Sequence, residues 1–308
     1  MIDLTQLTTE TRNPRTTDLD EWSALEIITE MNREDLDVVD AVRKELPRIA
    51  CLAEVCTQAL KKGGRIVYIG AGTSGRLGVL DAVECPPTFG VSDNCVVGLI
   101  AGGAGAYVKA VEGAEDSLTL AEKDLRKIAL TADDVVIGLA ASGRTPFVIG
   151  GLRYAKSIGC STGSVVCNGN AAVSAESDYP VEVVSGPEVL TGSTRLKAGT
   201  AQKMVLNMIS TASMVGVGKA YQNLMVDVVQ SNEKLVTRAE NIVIAAAGCD
   251  RDTAAEKLTE AEGSAKLAIT SLLLGLDTET AADKLAQADG HVRKAVETAQ
   301  GSAEVKEA

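Results

Sequence analysis

Apolar residues follow different patterns in different parts of the chain. Over residues 1–55 they recur at the three- and four-residue spacing of helices, and Pro47 within that pattern predicts a kink or the start of a new helix. From about residue 64 to 185, β-branched runs alternate with stretches long enough for crossover helices, which predicts a parallel sheet covered on both faces. Its strands are predicted at residues 65–69, 95–100, 134–139, 162–167 and 179–184.

The last third of the chain is predicted to be helical. Residues 197–236 have the pattern of one or two long buried helices, and an alanine-rich sequence with Glu and Lys at helical spacing follows residue 240. The glycines predicted to separate these later helices are Gly248, Gly263, Gly275 and Gly290.

Together these patterns predict an α/β fold. It consists of a doubly wound, mostly parallel five-stranded sheet with N-terminal helices and a small C-terminal helical domain. The expected divisions are an N-terminal helical segment over 1–55, a ligand-binding α/β domain over 56–219 and a helical region over 220–308.

Two segments of the predicted sheet share one residue pattern. Residues 67–76 and 135–144 align without a gap, and each is a β-branched run that leads into small residues and ends Ser-Gly-Arg. Loops of this kind at the ends of parallel strands offer backbone N–H groups to an anion at a helix N-terminus, and hydroxyls to a polyol. Two such loops on neighbouring strands predict a sugar-phosphate site.

The amino-acid composition disfavours several classes of ligand and catalytic group. A net charge of −12 and 3% aromatic residues argue against nucleic-acid binding, so local dipoles and a few Arg or Lys side chains must capture an anionic ligand. His291 is the only histidine, and the seven cysteines contain no C-x-x-C pair. We therefore expect neither a metal nor another cofactor, and we assign acid–base chemistry to carboxylates, lysines or tyrosines.

The expected location is the cytoplasm, without a membrane span. The residues after Met1 are polar and rich in threonine, which argues against a signal peptide, and unpaired cysteines fit a reducing compartment. The apolar stretch over residues 204–217 is interrupted by Asn207, so we interpret it as a buried helix.

Glu84 is a candidate general acid. The pattern after Arg76 predicts a short helix ended by Pro86 and Pro87, with Glu84 at its C-terminus. The negative end of the helix dipole and partial burial beside apolar neighbours would both raise the carboxyl pKa. A solvated glutamate at a helix end is the alternative interpretation.

Glu115 is a candidate general base. Gly113 is predicted to end one short helix and residues 118–128 to form the next, so Glu115 falls in or just before a first turn. There the helix dipole keeps a carboxylate ionised. Glu112 and Asp116 remain alternatives, and the cluster is equally compatible with a helix cap.

Two further loops have competing interpretations. Residues 191–200 form a hydroxyl-rich loop that enters a helix, where either Arg195 or Lys197 closes over an anion or the loop acts only as a cap. Residues 70–75 satisfy the G-x-G-x-x-G pattern of dinucleotide sites, but the acidic residue expected after the 95–100 strand is missing. That absence disfavours a dinucleotide.

At the level of whole motifs, the chain resembles sugar isomerase (SIS) domains, and more narrowly the bacterial N-acetylmuramic acid 6-phosphate etherases. The segments that carry the resemblance are residues 11–14, 70–78, 81–88, 98–103, 111–116, 140–146, 191–200 and 223–228. The last sixty residues match only in helical character. One departure is Asn168-Gly169, where the family pattern has Asn-Pro, and it affects the expected shape of that loop.

The resemblance implies a homodimeric carbon–oxygen lyase of cell-wall recycling. Such an enzyme removes D-lactate from the 3-position of the amino sugar, with Glu84 as the acid on the ether oxygen and Glu115 as the base at C2. The other residues expected to bind substrate are Thr73, Ser74, Ser142, Gly143, Arg144, Thr145, Ser193 and Lys197. An aldose–ketose isomerase and a non-catalytic sugar-phosphate sensor are the rival functions on the same fold.

Overall fold

The computed structural model describes residues 7–109, 111–230 and 232–304, and the side chains up to residue 300. The polar lead after Met1 on which the signal-peptide argument rests lies almost wholly outside these ranges. The chain forms two compact units. The first comprises Met1–Val83 and Asp93–Ala212, and the second Glu84–Ser92 and Ser213–Ala308. The divisions at residues 55 and 219 stay a prediction.

A five-stranded parallel sheet forms the centre of the first unit, as predicted. Its strands are β1 Ile66–Gly70, β2 Val96–Ile100, β3 Val135–Ala140, β4 Ser161–Val166 and β5 Tyr179–Glu182. They lie in the order β2-β1-β3-β4-β5, and all four pairings are parallel. β1 and β3 are completely buried because helices cover both faces of a doubly wound sheet. The predicted fold class is confirmed.

Helices connect the strands of the first unit, and two of them continue into the second. They are α1 Ala24–Lys61, α2 Gly72–Phe89, α3 Leu120–Lys127, α4 Pro146–Ser157, α5 Ala172–Ala175 and α6 Lys197–Gly216. Short 3₁₀ helices lie at Thr8–Glu10, Leu19–Glu21 and Ala104–Tyr107. A capping box between Ser23 and Glu26 starts α1, which runs unbroken through Pro47, so no new helix begins there.

The second unit is helical with one small hairpin. Its helices are α7 Glu233–Ala247, α8 Arg251–Glu260, α9 Ala265–Leu274, α10 Thr278–Gln287 and α11 Val292–Glu304. All four glycines predicted to separate the helices lie between them with positive φ. The prediction of helix throughout residues 197–236 was wrong, because β6 Ala220–Tyr221 and β7 Leu224–Met225 pair antiparallel around Gln222, whose φ is +52°.

The described helices include none that is long and apolar enough to cross a membrane.

Glycines set the distance between helices and neighbouring backbone in the first unit. A Cβ on Gly75 of α2 would lie 2.7 Å from the Gly70 carbonyl oxygen, so only glycine lets α2 start this close to β1. On α4, a Cβ on Gly150 would lie 1.9 Å from the Leu118 carbonyl oxygen just before α3. Larger residues at either position would force the backbones apart.

We predict that Gly150→Ala lowers the free energy of unfolding by about 2–3 kcal/mol, because backbone must move to admit the methyl group. Gly105→Ala is the matched control: its Cβ would meet no atom within 4 Å, and its φ is not positive. The control is expected to change the stability by less than about 0.5 kcal/mol. Urea unfolding of the two variants measures both values, and equal stabilities would contradict this account of the packing.

Candidate active site

The two Ser-Gly-Arg loops follow adjacent strands, as the sequence predicts. β1 pairs with β3 in parallel, with Gly70 opposite Leu139, so both loops leave the same edge of the sheet. The strand order reverses at this pair, since β2 lies on one side of β1 and the later strands lie on the other side of β3. In open α/β sheets, ligands bind at the carboxyl ends of the strands at such a switch point.

The two loops have different conformations despite their common sequence. α2 begins at Gly72, so Thr73 and Ser74 lie in its first turn, and the Ser74 hydroxyl donates to Gln202 Oε1 over 2.8 Å. The second loop is irregular over residues 141–145, and Gly143 has a φ of +71°. A proline, Pro146, then begins α4 at the position where its missing N–H costs least.

Asn168 fixes the second loop, a role that the sequence analysis missed. Its buried side-chain amide donates to the carbonyl oxygens of Ala141 and Ser142 over 3.2 and 3.3 Å. The same nitrogen donates to Thr9 Oγ1 over 3.0 Å, and the Thr9 N–H donates back to Asn168 Oδ1. The only signal in the sequence was the departure from Asn-Pro at this position.

Glu115 lies in a turn, five residues before α3 begins. The prediction that it lies in or just before the first turn of this helix was wrong. Its carbonyl oxygen accepts from the Phe147 N–H over 2.9 Å, so this turn is tied to the start of α4 and not of α3. The Glu115 side chain is exposed. Glu115 therefore does not lie at the N-terminus of α3, where the helix dipole would act on it.

A cavity of about 170 Å³ joins Glu115 to the first loop. Gly72 and Arg76 of α2 line it, together with Glu112 and Glu115. Of the two alternatives to Glu115, Glu112 therefore shares its cavity, whereas Asp116 does not line it. A carboxylate beside a short Gly-rich loop is a suitable arrangement for proton transfer to or from a bound sugar.

Glu84 lies within α2 and not at its end, a second correction. The helix continues through Pro86 and Pro87 to Phe89, and the Gly90 N–H closes it with a 2.9 Å bond to the Pro86 carbonyl. Proline lacks a backbone N–H and its ring clashes with the carbonyl four residues earlier, and the prediction of a helix end at Pro86 relied on that rule.

Packing within the second unit explains why the helix continues. Cys85 is buried, and Gly90, with a φ of +60°, fits closely against Asp227, whose carbonyl oxygen would lie 2.4 Å from a Cβ there. The Glu84 side chain itself is exposed. Neither a helix end nor burial acts on it, so its assignment as an acid rests on the resemblance alone.

Lys197, expected to bind substrate, is buried in a charge network. Its ammonium forms an ion pair with Glu34, which is completely buried and also accepts from Asn13 Nδ2 at 2.8 Å and Arg15 Nε at 2.9 Å. Burial alone would raise the pKa of Glu34, but the bonds from Lys197, Asn13 and Arg15 outweigh it and hold the pKa below its usual value. Substrate binding by Lys197 stays a prediction.

Glu34 and Glu188 position α6 and the loop before it, and the sequence analysis missed both. The Glu188 carboxylate accepts from the Lys197 and Ala198 N–H groups over 2.9 and 3.0 Å and thereby caps α6. Burial raises the pKa of Glu188, although these two bonds oppose the shift. The sequence pattern could have identified Glu34, because it shares the buried face of α1 with Val38 and Val42, where a charged residue requires a partner.

The remaining predicted residues lie around these features. Arg144 and Ser193 are in loops that lead into α4 and α6, with Arg144 exposed and Ser193 half-buried. Thr145 is the residue before α4. All predicted site residues except Glu84 belong to the first unit. Within the described ranges, no three His, Cys, Asp or Glu side chains come close enough together to hold a metal ion.

We predict that Glu34→Gln lowers the free energy of unfolding by about 3–5 kcal/mol at neutral pH, because Lys197 is then a buried charge without its anion. The double variant Glu34→Gln/Lys197→Met is expected to recover most of this loss.

The stabilisation by Glu34 should also depend on pH. Since the Glu34 pKa is lowered on folding, its contribution to the free energy of unfolding is present above the unfolded pKa of about 4.3 and is lost as the pH falls through the folded pKa. Urea unfolding from pH 7 to pH 3 measures these effects. A double variant less stable than the single one would contradict the assigned pairing.

Comparisons with known proteins find similarity over part of the chain. The sequence profile of the glucokinase regulatory protein N-terminal SIS domain matches residues 48–156. Among solved structures, the phosphoheptose isomerase of Neisseria gonorrhoeae superposes with a TM-score of 0.49 and 16% identity, over 62% of this chain and 98% of that one.

Closer similarity extends over most of the sequence. An N-acetylmuramic acid 6-phosphate etherase of Geobacillus sp. (strain WCH70) is 60% identical over 271 residues, which is 88% of this chain and 92% of that relative. The protein of the same name from Halalkalibacterium halodurans is 57% identical over 272 residues, or 88% of this chain and 91% of that relative. This chain belongs to the family of N-acetylmuramic acid 6-phosphate etherases.

Proposed function

We propose that the chain removes D-lactate from N-acetylmuramic acid 6-phosphate and releases N-acetylglucosamine 6-phosphate. The observation that carries the proposal is the family membership, with relatives 57–60% identical over 88% of the chain that are named for this ether cleavage. The paired loops at the β1/β3 switch point support a sugar phosphate as the ligand. We further propose that the reaction takes place in the cytoplasm, as part of cell-wall recycling.

The proposed chemistry needs two carboxylates. In the open-chain sugar C1 is an aldehyde, which makes the C2 proton acidic enough for Glu115 to remove. The ether oxygen at C3 then leaves as D-lactate with a proton from Glu84, and an unsaturated aldehyde remains. Water adds back at C3, with Glu84 now ionised and taking a proton from it, while Glu115 returns its proton to C2. General acid–base steps of this kind each contribute roughly a hundred- to ten-thousand-fold in rate.

The second loop is the proposed phosphate site. Ser142, Gly143 and Thr145 precede the N-terminus of α4, a helix of twelve residues whose dipole favours an anion. We assign the sugar hydroxyls and the acetamido group to Thr73 and Ser74 in the first turn of α2. Asn168 supports this assignment because its bonds to two consecutive carbonyls hold the second loop in one shape.

We also propose that the chain is a homodimer that pairs through α1. This helix buries one apolar face against the sheet. In another sector, about 80° wide on a helix of 3.6 residues per turn and shared with the exposed Asn32 and Arg43, it exposes five large apolar side chains. They are Leu25, Ile28, Leu36, Val39 and Leu46. An exposed apolar stripe along a long helix is the kind of surface that a second copy covers in a two-fold interface.

The two glutamates are expected to differ in isotope exchange. Both Glu84→Ala and Glu115→Ala should lose release of D-lactate from N-acetylmuramic acid 6-phosphate, measured in excess EDTA. In heavy water, Glu84→Ala keeps the proposed C2 base and should still exchange the C2 proton of N-acetylglucosamine 6-phosphate, whereas Glu115→Ala should exchange at least about a hundredfold more slowly. Equal exchange in both variants would move the base elsewhere, with Glu112 next. The reverse pattern would mean that the two roles are exchanged.

The dimer is tested by charging its proposed interface. Ile28→Glu/Leu36→Glu is expected to convert a dimer into a folded monomer, because two carboxylates cannot be buried against a second copy without partners. Sedimentation equilibrium measures the mass, and circular dichroism measures the fold. Lys44→Glu, on an exposed and polar face of the same helix, is the control and should stay dimeric. A wild-type monomer, or a dimer that survives the double substitution, would contradict the proposal.

A further inference from the structure

The cavity that contains Glu115 also holds a cation, Arg76. Its Nε donates to the Tyr107 carbonyl oxygen over 2.8 Å, and its Nη2 donates to the Ala106 carbonyl oxygen over 3.0 Å. These two bonds fix the guanidinium between α2 and the 3₁₀ helix Ala104–Tyr107. They use two of its five N–H donors, and the terminal edge formed by Nη1 and Nη2 still carries three.

Arg76 is not neutralised by the protein. Within the described part of the chain, no carboxylate lies within 4.0 Å of its guanidinium, although Glu112 and Glu115 line the same cavity. Lys197, one of the cations expected at the substrate, differs because it is paired with Glu34. In a chain with a net charge of −12, an arginine held in place by neutral carbonyls and left without a counter-charge is suited to an anionic ligand.

The proposed substrate carries two separate anionic groups. The second loop is assigned to the 6-phosphate, at one end of the sugar. The carboxylate of the lactyl ether is attached through C3, next to the C2 atom from which Glu115 takes its proton. A cation in the same cavity as Glu115 therefore lies on the side of the sugar where the lactyl group must be. Without Arg76, the charged side chains facing the lactyl carboxylate in this cavity would be Glu112 and Glu115.

We propose that Arg76 binds the carboxylate of the lactyl group and makes the enzyme selective for amino-sugar phosphates that carry an acidic 3-O-substituent. The inference rests on the proposed function. Guanidinium matches carboxylate geometry through paired N–H donors, which lysine does not reproduce. Ala101, Ala106 and Val111 line the rest of the cavity and supply apolar surface for the methyl group of the lactyl unit.

The test compares two substrates in one enzyme: N-acetylmuramic acid 6-phosphate and its primary amide at the lactyl carboxyl group, a neutral analogue of nearly the same shape. Wild-type kcat/KM for lactate or lactamide release is expected to favour the acid by roughly tenfold to a hundredfold, the range of one charge-assisted contact. Arg76→Gln should bring the ratio close to one, mainly through a slower reaction of the acid. Arg76→Lys keeps the charge and should keep part of the preference.

Controls separate this role from general damage to the site. Loss of packing around Arg76 affects both substrates alike and leaves their ratio unchanged, so the ratio reports the carboxylate contact. Arg76→Gln should still exchange the C2 proton of N-acetylglucosamine 6-phosphate, which has no lactyl group. Arg153→Gln removes an exposed arginine that pairs with Glu176 and should keep the wild-type ratio.

Three outcomes overturn the inference, and they are distinguishable. Lactate release by the wild type together with an unchanged preference for the acid in Arg76→Gln overturns the role of Arg76 alone. Failure of the wild type to release lactate overturns the proposed function and this inference with it. A lysine variant with less preference for the acid than the glutamine variant also contradicts a charge contact at this position.

Discussion

The parallel pairing of β1 with β3 is the constraint on which the site depends. Parallel strands bring their carboxyl ends to one edge of the sheet, and the reversal of strand order at this pair separates the helices that follow. α2 and α4 therefore both start at the same edge, each with a small-residue segment. Burial of both strands on both faces makes this pairing costly to alter, so both loops extend from completely buried strands.

Two cations of the first unit, Lys197 and Arg76, represent two kinds of environment. Lys197 is used internally, because Glu34 on the core face of α1 needs a partner, and that pair together with Glu188 holds the start of α6. Arg76 is held by neutral carbonyl groups and keeps its full charge for a ligand. An acidic protein with an anionic substrate depends on this second kind, since its overall field repels the ligand.

Local sequence patterns predicted the strands, their adjacency and the helix breaks at glycine. These features depend on short-range periodicity and on backbone conformations that only a few residues adopt readily, as at Gly248 and Gly275. The errors arose where distant packing overrides a local rule. α2 passes through Pro86 and Pro87 because its last turn packs on Asp227, far along the sequence. The burial of Lys197 depends on Glu34, 163 residues away, which no local pattern near Lys197 reveals.

The repeated Ser-Gly-Arg motif illustrates how one sequence serves two purposes. In the first copy, Gly75 lets α2 start directly against β1, so Thr73 and Ser74 become helical and Gln202 orients the Ser74 hydroxyl. In the second copy, Asn168 holds two carbonyls of an irregular loop before Pro146 begins the next helix. The first arrangement presents oriented hydroxyls, and the second presents a shaped backbone at a helix N-terminus. A ligand with hydroxyls at one end and an anion at the other matches both.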